Sequence, residues 1–124
     1  MATATKASAS SLSAFVAGSL DLTFGTGGKV LTNFYGYGSR FRDIGYDVVL
    51  QPDGKLVVAG RVASTWINAD FGLVRYNSDG SIDTTFGWGG TVITDFDSGG
   101  STAYSIALQP IGKLVVAGNA GQFA

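Results

Sequence analysis

Short stretches in which every second residue faces the same way dominate the chain, and turn residues separate them. In Lys29–Phe34 and in Tyr46–Leu50, large apolar side chains recur with a period of two, which is typical of β-strands. Further strands are predicted at residues 55–60, 70–76, 91–96, 104–108 and 113–118. No apolar period of 3.6 residues extends over a useful length, so the pattern predicts an all-β protein.

Two phrases occur twice, and in the same order. Leu50–Gly60 (LQPDGKLVVAG) returns as Leu108–Gly118 (LQPIGKLVVAG). Gly18–Gly25 (GSLDLTFG) returns as Gly80–Gly87 (GSIDTTFG). The two offsets in numbering differ by four because the first copy carries a longer loop at residues 35–45. Two phrases that recur in order indicate an internal structural repeat.

The repeat divides the chain into organised units. Repeat 1 spans about 18–79 and repeat 2 about 80–118, inside a folded segment of residues 11–124. Residues 1–10, rich in Ala, Ser and Thr, are predicted to be a disordered tail. Residues 11–17 align with 73–79 of the second copy, where a strand is predicted, and are expected to form an outer strand. With the strands of a four-stranded unit lettered a to d, the predicted order is c, d, a, b, c, d, a, b.

Composition narrows the possible chemistry. The 124 residues include no Cys and no His, which excludes disulfides, a Cys/His zinc site and a His-assisted nucleophile within one chain. The net charge of −1 shows no excess of basic residues of the kind that would indicate nucleic-acid binding. The longest apolar run near the N-terminus is only Ala14–Ala17, so neither a signal peptide nor a transmembrane segment is predicted, and the cellular location stays open.

The repeated phrases resemble the bacterial delta-60 repeat. The resemblance rests on QPDGKLVVAG at 51–60 and DFGLVRYNSDGSIDTTFG at 70–87, and it extends over roughly Gly18 to Gly118. It implies a β-propeller, often part of a large surface or secreted bacterial protein, and it carries no catalytic residues. The chain departs from the family pattern in its N-terminal segment, at Ile111 and in the inserted loop Tyr35–Asp43.

The small number of repeats points to assembly between chains. Propellers close a ring of about 4–8 four-stranded blades, whereas eight strands supply only two. Strand order c-d-a-b-c-d-a-b leaves a half-blade at each end. We expect the strands at 11–16 and 29–34 of one copy to complete the hairpin at 101–118 of the next, in a cyclic homo-oligomer. A trimer with six blades is the preferred expectation, and a tetramer with eight is the alternative.

A candidate binding site lies where the inserted loop meets the innermost strand a, at the mouth of the central channel. Its residues are Arg40, Arg42, Asp43, Tyr46 and Asp47, with Tyr104 as the counterpart of Tyr46 in the second copy. Carboxylates of Asp43 and Asp47 gathered around the ring axis would suit Ca²⁺ or another divalent cation. The alternative is a set of solvated salt bridges between the Arg and Asp side chains.

Two functions from different classes follow. The first is a binding and assembly module with a ligand or cation at the channel mouth. The second is a metal-dependent hydrolase of esters, lactones or phosphotriesters, by fold-level analogy with hydrolytic six-bladed propellers. Whether the protein is an enzyme stays open. Trp66 and Trp88 are further candidate ligand platforms, or else they pack between blades.

Overall fold

The computed structural model describes residues 2–6, 17–35, 42–63, 65, 68–96 and 99–121. These residues form eight strands and no helix: β1 Ala2–Thr5, β2 Lys29–Thr32, β3 Ile44–Leu50, β4 Leu56–Ala63, β5 Ala69–Tyr76, β6 Thr91–Thr94, β7 Ser101–Leu108 and β8 Leu114–Ala120. The predicted all-β class is confirmed. Among these residues no helix is long and apolar enough to span a membrane.

The strands form three sheets in which every neighbouring pair is antiparallel. β3-β4-β5-β6 is a complete four-stranded sheet with consecutive strands side by side, whereas β1-β2 and β7-β8 are two-stranded. By repeat position β3 to β6 are strands a to d of one blade, and β7 and β8 are a and b of the next. The predicted order is therefore confirmed from β2 onward, and we call β3–β6 the intact blade and the two-stranded sheets the half-blades.

The N-terminus differs from the expectation of a disordered tail at 1–10. Ala2–Thr5 pairs with β2, and Thr3 opposes Leu31 as Gly72 opposes Ile93 in the intact blade. Strand c of this half-blade thus begins within the predicted tail, and the predicted strand at 11–16 lies outside the described residues. The physical reason is that the ladder uses backbone N–H and C=O groups, so small Ala and Thr side chains suffice to pair with an open edge.

The half-blade β1–β2 resembles strands c and d of the intact blade, and the resemblance includes the segment that connects the two strands. In the intact blade, Asp83 donates its N–H to the carbonyl of Arg75 at 2.9 Å and binds the Arg75 Nε through its carboxylate at 2.9 Å. In the half-blade, Asp21 donates to the carbonyl of Lys6 at 2.8 Å and binds its Nζ at 3.3 Å. Lys6 therefore occupies the position of Arg75.

The central strands of the intact blade, β4 and β5, are largely buried on both faces, and the core lies there. On one face Val57, Ala59 and Phe71 pack against Ala103 and Ile106 of β7. On the other face a second buried cluster packs against side chains of β1, β2 and the segment after β2: Val58, Val74 and Tyr76 against Ala4, Val30 and Phe34. Each fully buried aliphatic side chain stabilises the fold by roughly 1.5–3 kcal/mol, so both half-blades contribute to the stability of the intact one.

A hydrogen bond between two hydroxyl groups links the N-terminal half-blade to the intact blade, and its contribution to stability can be measured. Tyr76 is fully buried, and its hydroxyl lies 2.6 Å from the hydroxyl of Thr32 on β2. We expect Tyr76→Phe to lower the free energy of unfolding by about 1–3 kcal/mol, because the buried Thr32 hydroxyl loses its partner. Urea denaturation measures this. The double variant Tyr76→Phe/Thr32→Val should recover part of the loss, and strictly additive effects would contradict the coupling.

Candidate functional site

The predicted site residues separate into three groups in the structure. Arg40 and most of the inserted loop lie outside the described residues, as does Trp66. Arg42 is exposed, and Asp43 just beside it is buried. Tyr46, Asp47 and Tyr104 lie together where β3 meets β7. The structure thus brings three of the six side chains into one place.

Asp43 anchors backbone in the structure. Only 4% of the residue is exposed, and its two carboxylate oxygens accept hydrogen bonds from the backbone N–H groups of Phe34 at 3.1 Å and Ala63 at 3.2 Å. A buried carboxylate needs such donors, because an unpaired one would be strongly disfavoured. Within one chain Asp43 therefore ties the segment after β2 to the end of β4. Its part in a cation site stays a prediction.

Two β-bulges present the tyrosines. The register of β3 with β4 shifts between Gly45 and Asp47, which leaves Tyr46 as the extra residue. The register of β7 with β8 shifts in the same way around Tyr104. A bulge re-aims its extra side chain, and here the two rings meet edge to face with centroids 5.2 Å apart and planes at 70°. Both side chains remain about half exposed, so the pair offers an aromatic surface to solvent.

The glycine at the end of the repeated phrase makes each bulge possible. A Cβ on Gly60 would collide with the carbonyl oxygen of Ile44, and one on Gly118 would collide with that of Thr102. The backbones therefore approach too closely at these points for any side chain. The Ala-Gly ending of each LVVAG phrase is the sequence signal for the bulge beside it.

Asp47 joins β3 to β7, the first strands of two adjacent sheets. Its Oδ2 accepts hydrogen bonds from the N–H of Ile106 at 2.9 Å and the hydroxyl of Ser105 at 3.1 Å, and its Oδ1 accepts the N–H of Val48 at 2.9 Å. These donors lower the pKa of Asp47, the N–H of Ile106 most and that of Val48 next. The charge is compensated by backbone and hydroxyl donors of the chain itself. This role was not predicted from the sequence. Ser105, which donates to Asp47, is also the residue that occupies the position of Asp47 in the second repeat.

An open groove lies between β1 and the face of the intact blade that carries Val48 and Val58. The sequence pattern did not reveal this groove. Its volume is about 610 Å³. Residues Thr3–Lys6 line one wall, and Tyr46, Val48, Leu50 and Val58 line the other. Val48 and Leu50 are 52% and 66% exposed, although strand residues of this kind normally pack against a neighbouring sheet. The groove is therefore an unfilled, largely apolar face whose lining also includes Asp47 and Lys6.

Among the described residues there is no group of three acidic side chains that could hold a metal ion. A cation at the channel mouth would need carboxylates from several chains or from segments beyond the described ones. Calcium binding and metal-dependent hydrolysis accordingly stay predictions. Trp88 is 91% exposed in the turn before β6, which leaves its predicted role as a ligand platform or a packing residue untested.

The hydrogen bonds of Asp47 give a testable pH dependence. Because the folded-state pKa lies below the ordinary carboxyl value, this charge stabilises the fold above about pH 4 and the contribution is lost as pH falls through the folded pKa. We expect Asp47→Asn to lower the melting temperature at pH 7 and to remove part of its fall on acidification. Calorimetry from neutral to strongly acidic pH measures both effects.

Asp53→Asn is the matched control, because Asp53 is an exposed aspartate whose carboxylate accepts the N–H of Lys55 within the β3–β4 turn. It should lower the melting temperature at pH 7 much less than Asp47→Asn does, because its hydrogen bond lies within one turn and joins no second sheet. A higher melting temperature for Asp47→Asn at pH 7 would instead mean that the charge is repelled, and would contradict the role assigned to Asp47.

Comparison with known proteins agrees with the strand arrangement. Residues 51–86 match the family model described as Domain of unknown function (DUF5122) beta-propeller, which is the delta-60 type of repeat. No curated protein and no solved structure matches the chain. The matched stretch begins in the β3–β4 turn and includes β4, β5 and the turn that holds Asp83. Residues Gln51 to Phe86 of this all-β chain are therefore similar to a β-propeller repeat of the delta-60 type.

Proposed function

We propose that this protein is an assembly module, a two-blade propeller segment whose copies join through their half-blades into a closed ring with a binding surface at the channel mouth. The observation that carries the proposal is a difference in solvent exposure between residues that occupy equivalent positions in the two repeats. Side chains that are buried where the β7–β8 half-blade packs on the intact blade have exposed equivalents on two separate outer surfaces of the structure.

Two pairs of residues illustrate the pattern. Val57 on β4 and Ile106 on β7 belong to the same buried cluster and are 0% and 6% exposed. Their equivalents in the other copy of the repeat are Val115 and Val48, which are 48% and 52% exposed. Val115 of one copy against Val48 of the next would reproduce the Val57–Ile106 contact. Val48 lines the groove, so the apolar outer side of the β7–β8 half-blade of a second copy, which carries Val115, is the surface expected to fill it.

The open strand edges support the same arrangement. Within the described residues β1 pairs only with β2, and β8 pairs only with β7, although both correspond to central strands of a blade. Exposed edges carry unpaired backbone N–H and C=O groups and readily pair with another chain. If β8 pairs with β1 of the next copy as β4 pairs with β5, the two half-blades become one complete blade.

A contact of this kind joins two different surfaces, so it closes only when the chains form a ring. Three chains would give six blades, which is within the usual range of about 4–8. In such a ring strand a is innermost, and the Tyr46–Tyr104 pair, Arg42 and Asp47 of each chain would surround one end of the channel. Exposed tyrosine rings beside charged groups suit a small molecule with an apolar face and hydrogen-bonding substituents.

Native mass spectrometry tests the assembly directly. The principal species should have three times the 12.7 kDa mass of the chain. Val48→Asp should shift the distribution to monomer, because burying a Val contributes roughly 1.5–3 kcal/mol per contact and an unpaired charge opposes burial. Association should weaken by at least about tenfold.

Ile111→Asp is the matched control. Ile111 is 76% exposed in the β7–β8 turn, and its repeat equivalent is Asp53, so the change adds the same charge at a place that accepts it. This variant should form the ring as the unaltered protein does. A well-folded monomer of the unaltered protein at high concentration would overturn the proposed assembly.

A further inference from the structure

Resting on the proposed ring, we propose that Lys113 of one copy forms an ion pair with Asp21 of the next, and that this pair fixes the register in which β8 joins β1. The partner surface is thus a second copy of the chain, recognised by one carboxylate and one ammonium in addition to the apolar contact.

Asp83 is the charged centre of the intact blade. Its side chain is 5% exposed, and its Oδ2 binds both Lys55 Nζ at 2.7 Å and Arg75 Nε at 2.9 Å. Lys55 directly precedes strand b and Arg75 lies in strand c, so the carboxylate connects the start of one strand to the other. Two cations around a buried carboxylate compensate the cost of removing it from water.

The half-blades hold the same three positions on separate surfaces. Asp21 is the repeat equivalent of Asp83, and Lys6 occupies the place of Arg75 on strand c. Lys113 is the equivalent of Lys55, since both follow the Gly of the repeated phrase. Asp21 binds Lys6 at 3.3 Å, and its side chain is 19% exposed. Among the described residues Asp21 has no second cation, and Lys113 has no carboxylate within ion-pair distance.

The local backbone presents Lys113 in the same way as Lys55. The carbonyl of Lys55 accepts the N–H of Gln51 at 2.8 Å, and the carbonyl of Lys113 accepts the N–H of Gln109 at 2.8 Å. The two hairpins therefore have the same closing geometry, despite Ile111 in the second turn. In the proposed ring the β7–β8 hairpin fills the groove of the next copy, and β8 lies beside β1 as β4 lies beside β5. This arrangement brings the Lys113 ammonium to the Asp21 carboxylate.

The pair discriminates between registers of the joined strands. The intact blade pairs Ala59 with Leu73, and the equivalent pairing between copies is Ala117 with Ala4. A slip of one residue turns Val115 away from Val48, and a slip of two moves the ammonium by about 6.6 Å along the strand. The apolar contact rejects the first error and the ion pair rejects the second. The small Ala and Thr side chains of β1 supply little register information of their own.

A charge swap tests the pair. Lys113→Asp and Asp21→Lys should each raise the concentration for half-assembly at least about tenfold, because each leaves one charge beside a like charge at the contact. The double variant Lys113→Asp/Asp21→Lys should restore assembly. The control Lys113→Asp/Asp53→Lys has the same net charge but places the new ammonium in the β3–β4 turn, so it should stay as weak as Lys113→Asp alone.

Carbodiimide coupling of the unaltered protein provides a second measurement that does not depend on how the variants fold. In an equal mixture of ¹⁵N-labelled and unlabelled chains, an amide between Lys113 and Asp21 should appear in mixed-isotope peptides. The Lys6–Asp21 amide within one chain is the internal control. If the ring forms but the mixed-isotope amide is missing and the double variant is no better than the single ones, the ion pair is overturned while the assembly stands. If the unaltered protein is a monomer, the assembly itself fails.

Discussion

A blade of this protein carries apolar side chains on both faces, so it requires a neighbouring sheet on each side. Strand β4 makes this plain, because nearly every residue from Val57 to Ala63 is buried whichever face it points to. The half-blades β1–β2 and β7–β8 provide the covering for β3–β6. The same requirement leaves the outer surfaces of the half-blades apolar and their strand edges open, and the groove beside β3 is its most visible result.

Much of the fold could be predicted from the sequence because two phrases recur in order. The repeat located the strands and their order, and it identified Tyr46 and Tyr104 as counterparts. It did not indicate the strand Ala2–Thr5 that pairs with β2, because the numbering offset between the two copies points to 11–17, most of which lies outside the described residues. The small Ala and Thr side chains of β1 give no apolar alternation from which a strand could be predicted.

The candidate site was predictable in position and much less so in chemistry. Asp43 follows a loop rich in charged and aromatic residues, which favours a solvent-exposed interpretation, yet backbone N–H groups from two separate segments surround its carboxylate. Asp47 meets its partners only when β7 lies beside β3, a proximity that local sequence does not encode. The edge-to-face tyrosine pair depends on two bulges, and the only trace of these in the sequence is a glycine on the opposite strand.

Asp47 and Ser105 occupy the same place in consecutive units, and this difference has a consequence for symmetry. A ring of identical chains would contain blades of one shape but of two alternating chemical kinds around the axis, anionic at Asp47 and neutral at Ser105. Six blades from three chains would therefore have threefold rather than sixfold symmetry. A molecule lying on the axis would meet three charged positions separated by three hydroxyls, an environment suited to a ligand with threefold character rather than to a featureless sphere.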